Sequence, residues 1–231
     1  MLILAGGLGK RLQPIVDDVP KPMAPISNLP FLEYLLNYWI SQGIDKFVIS
    51  VGYKAKIIKD HFKSQFKGIK IDYSEEIEPL GTGGAIKKAL LERFWSSDDI
   101  LIVNGDTWFE INLKKFLSDY YGNSPIALAL KHVKFNDRYG SVLIDDAGKV
   151  YKFSINSNES SYINAGAYLL NRNFFLNYLE DYPAKFSFER DVLEKLAVDR
   201  MLGSSIQNKK FIDIGIPADY LKATRFFKKI K

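Results

Sequence analysis

Cysteine is absent from this sequence of 231 residues, and histidine occurs only twice. Without a thiol the chain can form neither disulfides nor a cysteine nucleophile. It is compatible with a reducing compartment, and we expect a cytoplasmic protein. His61 and His132 lie far apart in the sequence, which disfavours a zinc site. Disulfide-stabilised, thiol-dependent and zinc-dependent classes are therefore set aside.

Long apolar runs are also missing, because no stretch approaches the ~20 apolar residues that cross a bilayer. The C-terminal stretch RFFKKIK could form an amphipathic membrane contact, but a helix that packs its phenylalanines on the core is favoured. The opening stretch MLILAGG is short for a signal peptide and has no basic leader. It begins within a predicted strand, so native residues could precede it. We expect no membrane partner.

Basic charge is present but dispersed. The chain has 32 lysines and arginines against 27 acidic residues, a net charge of +5. Their scatter favours a solvated basic surface over nucleic-acid binding, and the excess suits small anionic ligands. With 47% hydrophobic and 14% aromatic residues the chain can bury a sizeable core. We expect one domain over residues 1–231.

Short apolar runs alternate with helical patterns in the first half. LILA, KFVISV, IKIDYSEE and DILIVNGD predict strands, separated by the predicted helices FLEYLLNYWISQG, KIIKDHF and AIKKALLERF. This alternation predicts an α/β fold with a doubly wound, mostly parallel, Rossmann-like sheet. In the second half SPIALALKHV, GSVLIDDAGKVYKFSI and YINAGAYLLN predict added mixed or antiparallel strands. Helices are predicted after Ser187 and from Pro217.

The first predicted strand runs directly into the loop GGLGKR. Gly6, Gly7 and Gly9 would let backbone N–H groups approach phosphate oxygens at the carboxyl end of that strand. A dinucleotide fingerprint would need glycine where Leu12 stands, and a Walker A loop would need Ser or Thr after Lys10. The loop therefore predicts either an anion site or a tight turn with solvated cations.

Three further charged residues occur where the sequence predicts a restricted backbone or the end of a strand. Lys21 lies between two prolines, which bias its backbone toward a fixed, extended shape and so predict a positioned charge. Asp106 follows a buried strand in LIVNGDT, and Asp213 has the same setting in FIDIG. Two carboxylates at strand ends suggest a shared Mg²⁺ site, although each alone could be a turn or cap residue.

These motifs occur in an order that resembles the sugar-1-phosphate nucleotidyltransferases. The resemblance is carried by LAGGLGKRL, PKPM, EPLGTGGAI, NGDT, INAGAYLL and IDIG, and it covers nearly the whole chain. Within that family, KPMAPI, DRYGSV, FSFERDVLEK and FIDIGIPADY resemble the heptose 1-phosphate guanylyltransferases. The chain ends at FKKIK, so we expect no second, β-helical acyltransferase domain of the kind found in some members.

The resemblance implies a nucleotidyltransferase A-type fold, with residues 1–110 as the nucleotide-binding half and 111–231 as the sugar-phosphate-binding half. It implies a reaction of a nucleoside triphosphate with a sugar 1-phosphate, with Mg²⁺ and no nucleic acid, in a possible homo-oligomer. Arg11 would contact the triphosphate, Lys21 would bridge the reacting phosphates, and Asp106 and Asp213 would hold Mg²⁺. Residues implied around the nucleotide are Leu4, Ala5, Gly6, Gly7, Gly9, Lys10, Glu78 and Gly83. Asn164 and Gly166 would line the sugar pocket.

Two departures from the family pattern concern the cations. Lys10 stands where members usually carry Thr or Ser. Members also commonly carry a Glu-Lys pair that grips the sugar phosphate, and Ile155 and Asn156 occupy those approximate positions. Catalysis would then be weak, rely on Lys152, or use a different acceptor. GTP with a heptose 1-phosphate is the favoured substrate pair. UTP, CTP or dTTP, or a regulatory protein with weakened catalysis, are the alternatives.

Overall fold

A computed structural model describes residues 1–9, 11–12, 14–121, 124–134, 139–154 and 161–228. The strands are β1 (Leu2–Leu4), β2 (Pro25–Ile26), β3 (Leu29–Pro30), β4 (Lys46–Val51), β5 (Gln65–Phe66), β6 (Ile69–Glu75), β7 (Asp99–Asn104), β8 (Thr107–Phe109), β9 (Ile126–Val133), β10 (Ser141–Ile144), β11 (Lys149–Ser154), β12 (Ser161–Asn171), β13 (Leu202–Ile206) and β14 (Phe211–Asp213). The helices are α1 (Phe31–Ser41), α2 (Ala55–Phe62), α3 (Gly81–Glu92), α4 (Leu113–Tyr120), α5 (Arg172–Tyr178), α6 (Glu194–Val198) and α7 (Pro217–Phe227). A 3₁₀ turn covers Lys21–Met23, and a π-helical turn covers Phe188–Leu193.

Ten of these strands form one sheet, in the order β10-β11-β13-β9-β12-β7-β1-β4-β6-β5. The strands β7, β1, β4 and β6 are parallel to their neighbours within this group, as the alternation of strands and helices predicts. β12 then pairs antiparallel with both β7 and β9, and β10 with β11. The prediction of a parallel α/β sheet extended by antiparallel strands is confirmed.

Helices cover both faces of the sheet and bury two apolar layers. α1, α2 and α4 pack on one face, and α3, α5 and α6 pack on the other. Helix α1 illustrates how the helices pack on the sheet. Its buried side chains recur at helical spacing as far as Trp39, which is 1% exposed, so one face of the helix is apolar. The core therefore follows from the periodicity of the sequence.

The C-terminal helix α7 packs on the body of the protein. Phe227 is buried and makes ring contacts with Phe31, Tyr34 and Trp108. Phe227 thus belongs to a third apolar cluster, and α7 packs its phenylalanine on the core as the sequence predicts. Across the part of the chain that the structure describes, every helix is too short or too polar to cross a bilayer.

A small two-stranded ribbon outside the main sheet matters most for the site. β8 pairs antiparallel with β14, so that Thr107 lies opposite Asp213. The backbone N–H of Ile214 donates to the carbonyl of Asp106 at 3.0 Å. The ribbon thereby brings together two aspartates that are more than a hundred positions apart in the chain.

Candidate active site

A cavity of about 420 Å³ opens at the carboxyl ends of β1, β4 and β7. This is the edge at which open α/β sheets bind ligands, and the volume lies in the range of small-molecule sites. Its lining residues are Leu4, Ala5, Gly6, Gly7, Leu8, Gly9, Lys21, Pro22, Ser50, Glu76, Pro79, Gly81, Thr82, Ala85, Asn104 and Asp106. The opening loop, Lys21 and Asp106, predicted separately from the sequence, thus meet at one cavity.

The opening loop is held close to its neighbours by the backbone. Ala5 N–H donates to the carbonyl of Ser50, and Gly105 N–H donates to the carbonyl of Leu4, both at 2.8 Å. A Cβ on Gly6 would collide with Glu76 Oε1, and Gly9 has a φ of 61°. A side chain at position 6 would therefore displace the Glu76 carboxylate, and the left-handed backbone at position 9 favours glycine.

Lys21 and Asp106 form an ion pair at the wall of the cavity. Lys21 Nζ lies 2.7 Å from Asp106 Oδ2, and the two side chains are 13% and 29% exposed. Lys21 begins the 3₁₀ turn that follows Pro20, so the prediction of an extended backbone at this lysine is wrong: the extended residue is Pro20, and the turn holds Lys21 in place instead. Asp106 Oδ1 accepts from the Thr107 hydroxyl at 3.2 Å. The pair places one cation and one carboxylate where phosphates could reach both.

Asp213 lies close to Asp106 through the ribbon, but it lines a different opening. Its Oδ1 accepts from Gly215 N–H at 2.6 Å, and Tyr139 OH donates to its Oδ2 at 3.4 Å. It borders a second cavity of about 610 Å³. Within the described ranges, no group of three or more His, Cys, Asp or Glu side chains is arranged to hold a metal.

The loop after β6 turns a different glutamate inward from the one that the sequence resemblance implies. Glu76, rather than Glu78, lines the cavity. Glu76 Oε1 accepts from the Ser50 hydroxyl at 3.2 Å, and Oε2 accepts from Leu80 N–H at 3.0 Å. Glu78 is exposed. Glu76 N–H donates to the carbonyl of Val51 and so extends the pairing of β6 with β4, which directs the side chain of Glu76 over the cavity.

The glycine at the cavity is likewise two positions earlier in the sequence than the one that the resemblance implies. Gly81 lines the cavity and has a φ of 72°, whereas the predicted Gly83 is buried under the ring of Phe186. A Cβ at Gly81 would lie 2.5 Å from the carbonyl oxygen of Phe186. Gly81 therefore permits the close approach of residues 186–188 to the first turn of α3. Gly83 leaves room for the ring of Phe186 to pack on the same turn.

Of the residues expected at the sugar, Asn164 and Gly166 lie on β12, and neither lines the cavity. Gly166 has a φ of 70°, and a Cβ there would lie 2.5 Å from Nδ2 of Asn104, a cavity residue. Asn164 Oδ1 accepts from Gly166 N–H at 3.0 Å. Lys152 is exposed on β11, opposite Leu143, and does not line the cavity.

Of the remaining expected residues, Arg11 lies outside the cavity wall and the others are not among the described residues. Arg11 occupies an exposed turn after the glycine loop and is not part of the cavity wall. Lys10, Ile155 and Asn156 lie outside the described residues. Sequence reasoning missed Glu76, Ser50, Thr82 and Asn104. Ser50 did give a signal, because it is a polar residue in the otherwise apolar strand KFVISV.

The parallel sheet edge, the glycine loop and the framed lysine define a nucleotide-handling α/β protein, and comparison with known proteins agrees. The Nucleotidyl transferase family profile matches residues 1–230, and the chain belongs to this family. The chain is 44% identical over 225 residues to the D-glycero-alpha-D-manno-heptose 1-phosphate guanylyltransferase of Aneurinibacillus thermoaerophilus, covering 97% of this chain and 96% of the relative.

Two further relatives are similar over nearly their whole length. The enzyme of the same name from Campylobacter jejuni is 43% identical over 220 residues, covering 95% of this chain and 96% of the relative. The crystal structure of HddC from Yersinia pseudotuberculosis complexed with GMP-PN superposes with a TM-score of 0.85 at 38% identity, covering 98% of both chains. The predicted nucleotidyltransferase fold and family are confirmed.

Proposed function

We propose that this chain is a D-glycero-α-D-manno-heptose 1-phosphate guanylyltransferase. A phosphate oxygen of the sugar 1-phosphate forms a bond to the α-phosphorus of GTP. The bond from the α-phosphorus to the bridging oxygen breaks, and pyrophosphate leaves with that electron pair. The products are the GDP-sugar and pyrophosphate. The observation that carries the proposal is the cavity in which the glycine loop meets the Lys21–Asp106 pair, in a chain with full-length similarity to two guanylyltransferases.

The nucleotide would lie against the loop that follows β1. Leu4 and Ala5 face the nucleoside, while Gly6, Gly7 and Gly9 present backbone N–H groups to phosphate oxygens without a Cβ in the way. In the sequence, Lys10 follows Gly9 directly and brings a further positive charge to this segment. The first turn of α3, at Gly81, borders the same cavity and contributes the partial positive charge of a helix start.

The base would be recognised by Glu76 in place of the expected Glu78. The edge of guanine carries N1–H and N2–H₂ donors, and a carboxylate offers two acceptor oxygens to them. Each oxygen of Glu76 accepts one bond within the protein, from Ser50 or from Leu80, and keeps a further lone pair. These internal bonds hold the carboxylate in place before a ligand arrives, which lowers the ordering cost of binding.

The cations reduce the repulsion between two phosphate groups that must come within bonding distance. Lys21 is pre-positioned by the turn and by Asp106, so its ammonium costs little to order when phosphates enter. Arg11 offers a planar guanidinium that can bind phosphate with two parallel hydrogen bonds. We assign Lys21 and Arg11 to the transition state, with Arg11 reaching in from its exposed turn.

The residues of the site also suit Mg²⁺. Asp106, in the cavity wall, and Asp213, which the β8–β14 ribbon brings near it from the border of the second cavity, would supply hard oxygen donors. Mg²⁺ usually takes only one or two carboxylates and completes its shell with phosphate and water. When bound, Mg²⁺ neutralises charge on the triphosphate and on the leaving pyrophosphate. Asp106, already partnered by Lys21 and Thr107, is oriented for this role.

The acceptor would occupy the side of the cavity near β12. Asn164 and Gly166 would approach it from β12, where they are hydrogen-bonded to each other and Gly166 packs against Asn104 of the cavity wall. Lys152 remains a candidate for the sugar phosphate only if the acceptor extends to the edge strand β11. Its exposure makes its contribution small, because a solvated ammonium interacts weakly with a phosphate.

The test is a matrix of GTP, UTP, CTP and dTTP against D-glycero-α-D-manno-heptose 1-phosphate and α-D-mannose 1-phosphate, read as released pyrophosphate. We expect the highest kcat/KM for GTP with the heptose phosphate. A preference for a pyrimidine triphosphate would contradict the choice of base. GTP binding without pyrophosphate release for any acceptor would favour a regulatory protein.

A further inference from the structure

The third apolar cluster is built from the segments that carry the charged residues of the proposed reaction. Its buried members are Leu12, Ala24, Ile26, Phe31, Trp108, Ile212, Ile214, Ala223 and Phe227. Leu12 directly follows Arg11 in the sequence. Ile212 and Ile214 flank Asp213, the last residue of β14. The backbone beside both of these charged residues is therefore attached to one apolar cluster.

The two residues of the ion pair are attached to the same cluster. Ala24 closes the 3₁₀ turn that Lys21 begins, because its N–H donates to the carbonyl of Lys21 at 3.0 Å. Trp108 lies two positions after Asp106, on β8. Each side of the ion pair thus has a buried neighbour in this cluster. The position of the ammonium relative to the carboxylate therefore depends on how the cluster packs.

Helix α7 supplies the ring that joins the two sides. The centroid of the Phe227 ring lies 5.0 Å from that of Trp108 and 6.2 Å from that of Phe31. Phe31 N–H donates to the carbonyl of Ala24 at 3.0 Å, which links this ring contact to the 3₁₀ turn. Phe227 is 1% exposed, so it reaches both sides of the ion pair from inside the protein and not from the cavity.

A second contact of α7 acts on the same turn. The hydroxyl of Tyr220 donates to the carbonyl of Pro25 on β2, the strand that follows the turn of Lys21. α7 itself begins at Pro217, four positions after Asp213. The helix is therefore joined by the chain to the β8–β14 ribbon and by its side chains to the turn.

We propose that two residues of α7, Phe227 and Tyr220, are positioning residues for the reaction. They hold the segments that carry Lys21 and Asp106 in one relative arrangement, and they touch no substrate. Protein interiors are close-packed and transmit small shifts, and a shift of about 1 Å in reacting groups can cost about 100-fold in rate. This role rests on the proposed function, which brings phosphates to the ion pair.

The base contact should be spared, because the end of β6 and the start of α3 pack in the two main apolar layers. Phe227→Leu should lower kcat by about tenfold and leave GTP KM within about twofold of wild type. The matched control is Phe62→Leu, which removes an equally buried ring from the end of α2, beside the edge strand β5. It should lower Tm by a similar amount and leave kcat unchanged.

Tyr220→Phe removes one hydroxyl and leaves the apolar packing intact, so it should fold and lower kcat by about threefold at constant GTP KM. The proposal is overturned if Phe227→Leu and Phe62→Leu have the same kcat, or if GTP KM alone changes. If Phe227→Leu does not fold, Tyr220→Phe must still lower kcat without raising GTP KM, and any other result overturns the proposal.

Backbone hydrogen exchange reads the same role without turnover. Phe227→Leu should speed exchange both in the turn Lys21–Met23 and in β8, and Phe62→Leu should not. Unchanged exchange in both segments overturns the positioning role, whatever the activity. A wild-type protein that releases no pyrophosphate contradicts the proposed function, and the exchange measurement still decides whether α7 holds the two segments.

Discussion

Glu76→Gln should change which base the enzyme accepts. The substitution keeps the shape of the side chain and replaces one acceptor oxygen by a donor NH₂. The amide oxygen can still accept from Leu80 N–H, and the NH₂ group can donate to the Ser50 hydroxyl, so the internal contacts of the loop survive. What is lost is one of the two acceptors that the proposal assigns to the N1–H and N2–H₂ groups of guanine.

The size of the effect follows from the loss of one hydrogen bond to a charged group. Such bonds are worth about 1.5–3 kcal/mol, which corresponds to roughly 10- to 150-fold in kcat/KM for GTP. The N3–H and O4 groups of uracil and thymine match an amide, which offers one acceptor and one donor. We therefore expect kcat/KM for UTP or dTTP to stay level or rise while the value for GTP falls.

The assay is pyrophosphate release at saturating heptose 1-phosphate, with GTP, UTP and dTTP compared for each variant. The matched control is Glu78→Gln, an identical change two residues away at an exposed position, which should leave all three values within about twofold of wild type. If Glu78→Gln shifts the base preference and Glu76→Gln does not, the assignment of the base contact to Glu76 is refuted.

Three further outcomes are expected. Asp106→Asn should lower kcat by roughly 100-fold, about 3 kcal/mol, and EDTA should abolish turnover that added Mg²⁺ restores; turnover that persists in EDTA would exclude the metal role. Lys21→Gln should lower kcat much more than it raises GTP KM, and steady-state kinetics showing the reverse would place this lysine in ground-state binding only. Gly166→Ala should cost about 2 kcal/mol and lower Tm by about 4–8 °C, because its left-handed φ is combined with a 2.5 Å approach to Asn104. Gly43→Ala, with a φ of 92° and open space around it, should cost only about 1 kcal/mol, and an equal loss of Tm in both variants would show that the approach to Asn104 is unimportant.

The parts of the site that lie immediately after strands could be predicted from the sequence. The glycine loop follows β1 and Asp106 follows β7, so the topology of a parallel sheet brings both to one edge. Lys21 was identifiable because its flanking prolines restrict the backbone. In each case a local pattern determines the position of the residue, and the structure places all of them at the same cavity.

The choice between Glu76 and Glu78 could not be made from the sequence, because it depends on how far β6 continues to pair with β4. One more backbone bond, from Glu76 N–H to the carbonyl of Val51, decides which carboxylate turns inward. β13 was missed for a different reason. Its sequence LGSSI is weakly apolar, and it is a strand because it pairs in parallel with the apolar strand β9.

The transfer of the guanylyl group itself can be followed with GTP labelled at both the α- and γ-phosphorus. Incubated with D-glycero-α-D-manno-heptose 1-phosphate and Mg²⁺, the wild-type protein should place the α label in the GDP-sugar and the γ label in pyrophosphate, in equal amounts. Asp106→Asn should transfer little of either label. A γ label found on the sugar, or α label released as GMP without a sugar product, would contradict the account.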